Sequence, residues 1–219
     1  MRKITKKLAL ILAGVMMMGL LGGCGSFDAS AYLTALLDNS YKNDSTAMVE
    51  QDIATAEEAN AIYEEGLGAE LDAIMSSAEV SEDQAEGMRD VIAAMLANVK
   101  YTVGEAEKQE DDSYVVTVTY EQMQVFGPTM DNYMAAVETM VNEWTEAAAA
   151  GEETPSEDEM MEKIITAFVT TLKDAIANAT YAEPQTTTVR IELKDGAYAP
   201  NEEDLQNLEY VLFDNDAIQ

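Results

Sequence analysis

Apolar side chains along the chain recur first every three or four positions, then every second one, and each change of rhythm marks an element. Leu33, Leu36, Leu37 and Tyr41 predict a helix over about residues 28–42. A capping box, Thr55-Ala-Glu-Glu58, opens a second helix, with Ala59, Ile62, Tyr63, Leu67, Leu71 and Ile74 on one face. Ser81-Glu-Asp-Gln84 opens a third, striped by Met88, Val91 or Ile92, Met95 and Val99. Alternation then takes over. Residues 100–108 form one predicted strand, and Tyr114, Val116, Val118 and Tyr120 give a second its apolar face, with Thr117, Thr119 and Glu121 opposite. The polar stretch Glu110-Asp111-Asp112-Ser113 connects them.

Gly127-Pro128 stops the second strand and starts a long helix through Met130, Tyr133, Met134, Val137, Val141 and Trp144, which Gly151 ends. Thr154-Pro155 reads as the cap and first position of a partner helix striped by Met161, Ile164, Ile165, Phe168, Leu172 and Ile176. The two predict an antiparallel pair. Thr187, Val189, Ile191 and Leu193 mark a further strand, Asp195-Gly196 a tight hairpin turn, and Asn201 the cap of a last short helix carrying Leu205, Leu208 and Leu212. The expected class is α+β: one antiparallel sheet built from two hairpins, packed against several long helices, in a single domain over residues 28–219. One faint echo runs through it. Ile92, Leu96-Ala97-Asn98 and Tyr101 recur eighty positions later as Leu172, Ile176-Ala177-Asn178 and Tyr181, and chance or shared helix-ending chemistry accounts for it better than duplication.

The first residues follow neither rhythm. Arg2, Lys3, Lys6 and Lys7 precede an apolar run from Leu8 to Leu21, fourteen residues long and so too short for a permanent span, which needs roughly 20. It has the dimensions of a signal-peptide core. Leu21-Gly22-Gly23-Cys24 then resembles the lipobox of bacterial lipoprotein precursors. That resemblance implies a leader over residues 1–23, a diacylglyceryl group on the Cys24 sulfur and cleavage just before it. Residues 24–27 become a lipidated cysteine and short tether, whose reach beyond Cys24 is on the order of 10 Å. Two acyl chains on one residue suffice for stable anchoring. The expected location is the outer face of the bacterial cytoplasmic membrane, reached through the lipid.

Composition narrows the chemistry. The chain has 219 residues with 12 Lys+Arg, 42 Asp+Glu and no His, for a net charge of −30; loss of the four leader cations would make it −34. Such a body is repelled by phosphate backbones, so no nucleic-acid partner is expected, and flat docking on an anionic bilayer is opposed as well. Without His there is no Ser-His-Asp or Cys-His catalysis, and with one Cys no internal disulfide. No cofactor is indicated: Gly66-Leu-Gly68 lacks the third glycine of a dinucleotide loop and follows no strand.

Residues 189–198 resemble the closing hairpin of small extracytoplasmic lipoproteins of Gram-positive bacteria, some with cystatin-like or nuclear-transport-factor-like folds. Tyr198 stands where those often carry Trp. The layout of the whole chain also resembles uncharacterised lipoproteins of that group, a likeness that supplies no activity. Acid runs at Glu152-Glu153 with Glu157-Asp158-Glu159-Glu162 read as solvated and dipole-compensating, and Glu110–Asp112 and Asp214-Asn215-Asp216 lack the spacing of a Ca²⁺ loop. No carboxylate pair can be singled out for glycoside hydrolysis.

Of 14 Met, ten lie beyond Cys24, and Met130 and Met134 share a helix with Trp144. With Tyr101, Tyr181 and Tyr198 placed together at one end of the sheet, they form the candidate ligand groove, although core filling explains methionines at helical spacing better. The expected function is a non-enzymatic, lipid-anchored envelope module binding a protein partner or small ligand. The alternatives are a carboxylate-dependent hydrolase of cell-wall or other polysaccharide and a divalent-cation-binding surface protein.

Overall fold

The computed structural model describes residues 27–75, 81–194 and 196–218. The leader, the lipobox residues Leu21, Gly22, Gly23 and Cys24, Asp195 of the expected turn and the side chain of Ile74 lie outside them.

Helix α1 (Ala29–Lys42) is capped by the Asp28 carboxylate, which accepts from the Ala31 N–H at 2.9 Å. It buries residues all round, among them Tyr32, Leu33, Leu36, Leu37 and Tyr41, so it runs through the middle of the molecule rather than over its surface. A short α2 (Thr46–Glu50), too brief for a sequence period, turns the chain into α3 (Ala56–Met75). The expected box forms there, Thr55 Oγ1 and the Glu58 carboxylate exchanging bonds with each other's backbone N–H. Helix α4 (Glu82–Ala97) opens with a full capping box between Ser81 and Gln84. It ends at Asn98, whose amide donates to the Ala94 carbonyl at 2.7 Å.

Strands β1 (Lys100–Lys108) and β2 (Tyr114–Glu121) form the first hairpin, and β5 (Gln185–Lys194) with β6 (Ala197–Pro200) the second. Their inner strands join, β2 against β5, to give one antiparallel sheet ordered β1-β2-β5-β6. Val116, Val118, Tyr120, Val189 and Ile191 fill the face turned to α1, and Thr117, Thr188 and Arg190 point the other way. Beyond the short β6, the edge of β5 would be left open. Helix α7 (Glu202–Leu212) covers it: Asp204 accepts from the Arg190 backbone N–H at 2.9 Å and its guanidinium Nε at 2.7 Å.

Between the hairpins lie β3 (Met123–Gln124), α5 (Phe126–Ala150), α6 (Glu157–Ala177) and β4 (Thr180–Tyr181), with β3 and β4 paired as a two-residue ladder. Helices α5 and α6 are the expected pair; Tyr133 meets Phe168 edge-on, ring centres 5.4 Å apart. Gly151 closes α5 in the left-handed conformation, φ +73°.

Two expectations are corrected here. Helix α6 is capped by Ser156 in a box with Glu159, because a serine three residues before a glutamate satisfies two donors where Thr154-Pro155 would satisfy one. And Met134, Val141 and Met161, placed on the inner stripes, are 59%, 46% and 52% exposed. The stripe of α5 that faces its neighbours runs instead through Met130, Tyr133, Val137, Met140 and Trp144, all half-buried. Helix α6 packs on α4 and puts Leu172 and Ile176 into the core, whereas α5 beyond Thr129 is half-buried along one side and exposed on the others.

Candidate functional site

The two ends of the sheet carry different chemistry. At the end where β2 begins, Phe27 closes the domain. Its ring stacks on Tyr198 with centres 3.9 Å apart and planes 8° from parallel, meets Tyr114 edge-on at 5.5 Å and leans on Tyr32 at 5.4 Å. The Tyr32 hydroxyl donates to the Tyr198 carbonyl at 3.1 Å, and burial pushes its pKa up from 10.0 to about 12. Four rings from the chain start, α1, β2 and β6 thus pin the first described residue, three positions after Cys24, to the sheet. Pair energies of about 0.5–1.5 kcal/mol beyond area burial are usual for such contacts. Leu193, paired with Tyr198 across the ladder, is 45% exposed.

At the other end, an open cleft of about 560 Å³ lies past the last residue of β2. Gln122, Gln124, Thr180, Asp131, Asp214 and Asp216 line it, along with Gly127, Pro128 and Ala217. Asp214 organises its floor. No side chain of the preceding loop caps α5, since the residue at that position is Val125. Asp214, held by a parallel bridge between Met123 and Phe213, supplies the missing acceptors from 87–89 residues away. Its Oδ1 accepts from the N–H groups of Val125 and Phe126 at 2.9 and 2.8 Å, and its Oδ2 from Gly127 at 2.9 Å. A Cβ at position 127 would stand 3.3 Å from Oδ2, so this approach favours glycine. The carboxylate also meets the positive end of the helix dipole.

Asp216 accepts from the Tyr210 hydroxyl at 2.6 Å, and Gln122 donates to the Phe213 carbonyl at 3.1 Å. The lining therefore presents oxygens and carboxamides and no cationic side chain. Among the described residues, no three acidic side chains are grouped so as to hold a metal ion.

The six groove candidates fall in several places. Met130, Met134 and Trp144 lie along α5, Met134 facing solvent. Tyr101 and Tyr181 share the cleft end of the sheet. The Tyr101 hydroxyl donates to Asp38 at 2.6 Å with the Lys42 ammonium 4.5 Å over its ring, and burial together with that carboxylate raises its pKa. The Tyr181 hydroxyl donates to the Asn98 carbonyl at 2.8 Å under Lys100, 3.6 Å above the ring. Tyr198 sits at the opposite end, in the Phe27 cluster. The expected grouping of the three tyrosines at one end is corrected: β6 pairs with the far half of β5, and register of that kind is not written in a single strand. The recurring Asn98 and Asn178 are both helix stops, each amide donating to the carbonyl four residues back, so the sequence echo is shared capping.

Sequence reading also missed a buried acidic group. Glu209 of α7 lies in the core, and burial first, then the charge of Glu70, pushes its pKa well above the usual carboxyl range. Burial likewise raises Tyr41, helped by Glu209. Leu205, Leu208 and Leu212 drew attention to the apolar face of α7, yet Glu209 occupies the next position on that same face.

No protein-family model matches the chain and no curated protein is similar to it in sequence. In structure it is similar to ycdA of Bacillus subtilis, a "putative lipoprotein", with a TM-score of 0.58 and 14% identity. The likeness covers 85% of this chain and 56% of that one, so the chain spans just over half the length of its structural neighbour.

Proposed function

We propose that this protein is a lipid-anchored module of the bacterial cell envelope, held at the outer face of the cytoplasmic membrane through Cys24, which binds a partner or small ligand without catalysing a reaction on it. The observation that carries the reading is the spacing at the chain start. The domain is locked at Phe27, so only Gly25 and Ser26 separate it from the lipobox cysteine. Acylation and cleavage at Cys24 would thus leave a tether of two residues between the lipid-bearing cysteine and Phe27. The likeness in fold to a protein named a "putative lipoprotein" points the same way.

Binding fits the cleft better than hydrolysis does. A glycosidase needs two opposed carboxyl groups, one of them kept neutral. In the cleft both oxygens of Asp214 serve α5, and Glu209, the carboxyl whose pKa is raised, is buried in the core. What the lining offers is acceptors in a negative field, suited to a small polar or cationic ligand.

The anchoring is tested with Cys24→Ala in a bacterial host fed a labelled fatty acid. The wild type should carry label and float with membranes, and the variant should do neither; label on the variant would refute the reading. A thermal-shift screen of polar and cationic compounds, repeated on Asp131→Asn, tests the cleft.

A further inference from the structure

The two ends of the sheet differ in a way that sets how the domain stands on a membrane. Phe27 is clamped between Tyr198, Tyr114 and Tyr32, so the chain leaves the body at the end of the sheet where β2 starts and β6 begins. From that cluster to Cys24 the reach is on the order of 10 Å. The cleft residues Gln122 and Gln124 follow the far end of β2, seven residues beyond Tyr114 at Glu121, or about 24 Å along the strand.

Charge decides how closely the near end approaches. Lys108 and Lys194 stand at the two hairpin ends there, but each is paired, with Asp112 and Glu192, at 2.7 Å. Glu110, Asp111 and Asp112 crown the first hairpin. Anionic headgroups therefore push this end away while the lipid holds it.

We propose that the Phe27 ring cluster fixes the domain end-on to an anionic bilayer, with the β1–β2 and β5–β6 turns facing the headgroups and the Asp214 cleft facing outward. This rests on the lipid-anchored reading and adds an orientation to it. The tether is too short and too firmly clamped for the domain to roll onto its helices, and the repulsion keeps the near end standing off rather than buried.

Energy transfer from the full lipidated protein to headgroup-labelled lipid tests this in phosphatidylglycerol–phosphatidylcholine vesicles. Acylation blocks Cys24, so a donor dye can be placed on one introduced thiol, in Leu193→Cys at the near end or, at the cleft end, in Glu183→Cys, an exposed position next to Ala182, whose N–H donates to the Gln122 carbonyl at 2.9 Å. Transfer should be severalfold stronger from position 193, and that transfer should rise with added salt as screening lets the near end settle. In Phe27→Ala the two positions should converge while flotation is unchanged. Equal transfer from the two positions in a floating wild type, or stronger transfer from 183, would overturn the orientation alone. A full-length protein that does not float with vesicles would overturn the anchored reading and the orientation with it.

Discussion

Replacing Asp214 with alanine removes a helix cap that no neighbouring residue can replace. Its oxygens accept three backbone N–H bonds of 2.8 to 2.9 Å, and two of the donors, on Val125 and Phe126, are buried. An exposed cap lost to alanine costs about 1 kcal/mol. A buried donor left without an acceptor costs roughly 1–3 kcal/mol, so two of them, with a third that water can reach, put Asp214→Ala at about 3–5 kcal/mol. At about 2–4 °C per kcal/mol for a domain of this size, the midpoint should fall by roughly 6–20 °C. Asp214→Asn keeps one acceptor oxygen and turns an amide toward the Gly127 N–H, so its cost should fall between those of wild type and alanine. Urea unfolding followed by circular dichroism, on a soluble form starting after Cys24, measures the loss. Ser156→Ala, an exposed cap of α6, is the internal standard. If Asp214→Ala costs no more than Ser156→Ala, the long-range cap does not hold α5.

Glu209→Gln should flatten the pH dependence of stability. The raised folded pKa means that, above the usual carboxyl value of 4.5, the native state holds a proton the unfolded chain has lost, so the group's contribution falls as pH rises toward the folded value. The wild-type and Gln curves should diverge across that window by up to about 1.4 kcal/mol per pH unit, and parallel curves would contradict it. Tyr32, with its pKa at about 12, contributes stability that is complete below pH 10 and lost between pH 10 and 12. Tyr32→Phe should remove that part of the alkaline unfolding followed by tyrosinate absorbance. If the protein holds divalent cations at a built site, stabilisation by Ca²⁺ should survive high NaCl; the expectation from charge alone is that salt erases it.

The parts of the fold that were legible in the sequence are those whose partners lie within a few residues. The boxes at Thr55–Glu58 and Ser81–Gln84 and the Asn201 cap each spell out a local hydrogen bond, and the alternation of β2 spells out which of its faces is buried. The class was legible from the change of period between helices and hairpins, while the joining of the two hairpins in one sheet comes from the long-range pairing of β2 with β5. What stayed hidden depends on distance. Asp214 sits in the run Asp214-Asn215-Asp216, whose spacing points to no ligand loop, and nothing nearby shows that Val125 leaves α5 without a cap. Met134 and Val141 match a helical stripe, yet which side of α5 is covered depends on where α6 and the C-terminal turn lie. The ring cluster had visible members in Phe27 and Tyr198, but their meeting requires the register of β6 on β5.

The most direct test of the account is the mass of the protein's N-terminus when it is isolated from membranes of its native host. Residues 1–23 should be absent, and the first residue should be Cys24 carrying a diacylglyceryl group. A chain that keeps its leader without acylation, or that begins at another residue, would contradict the central claim.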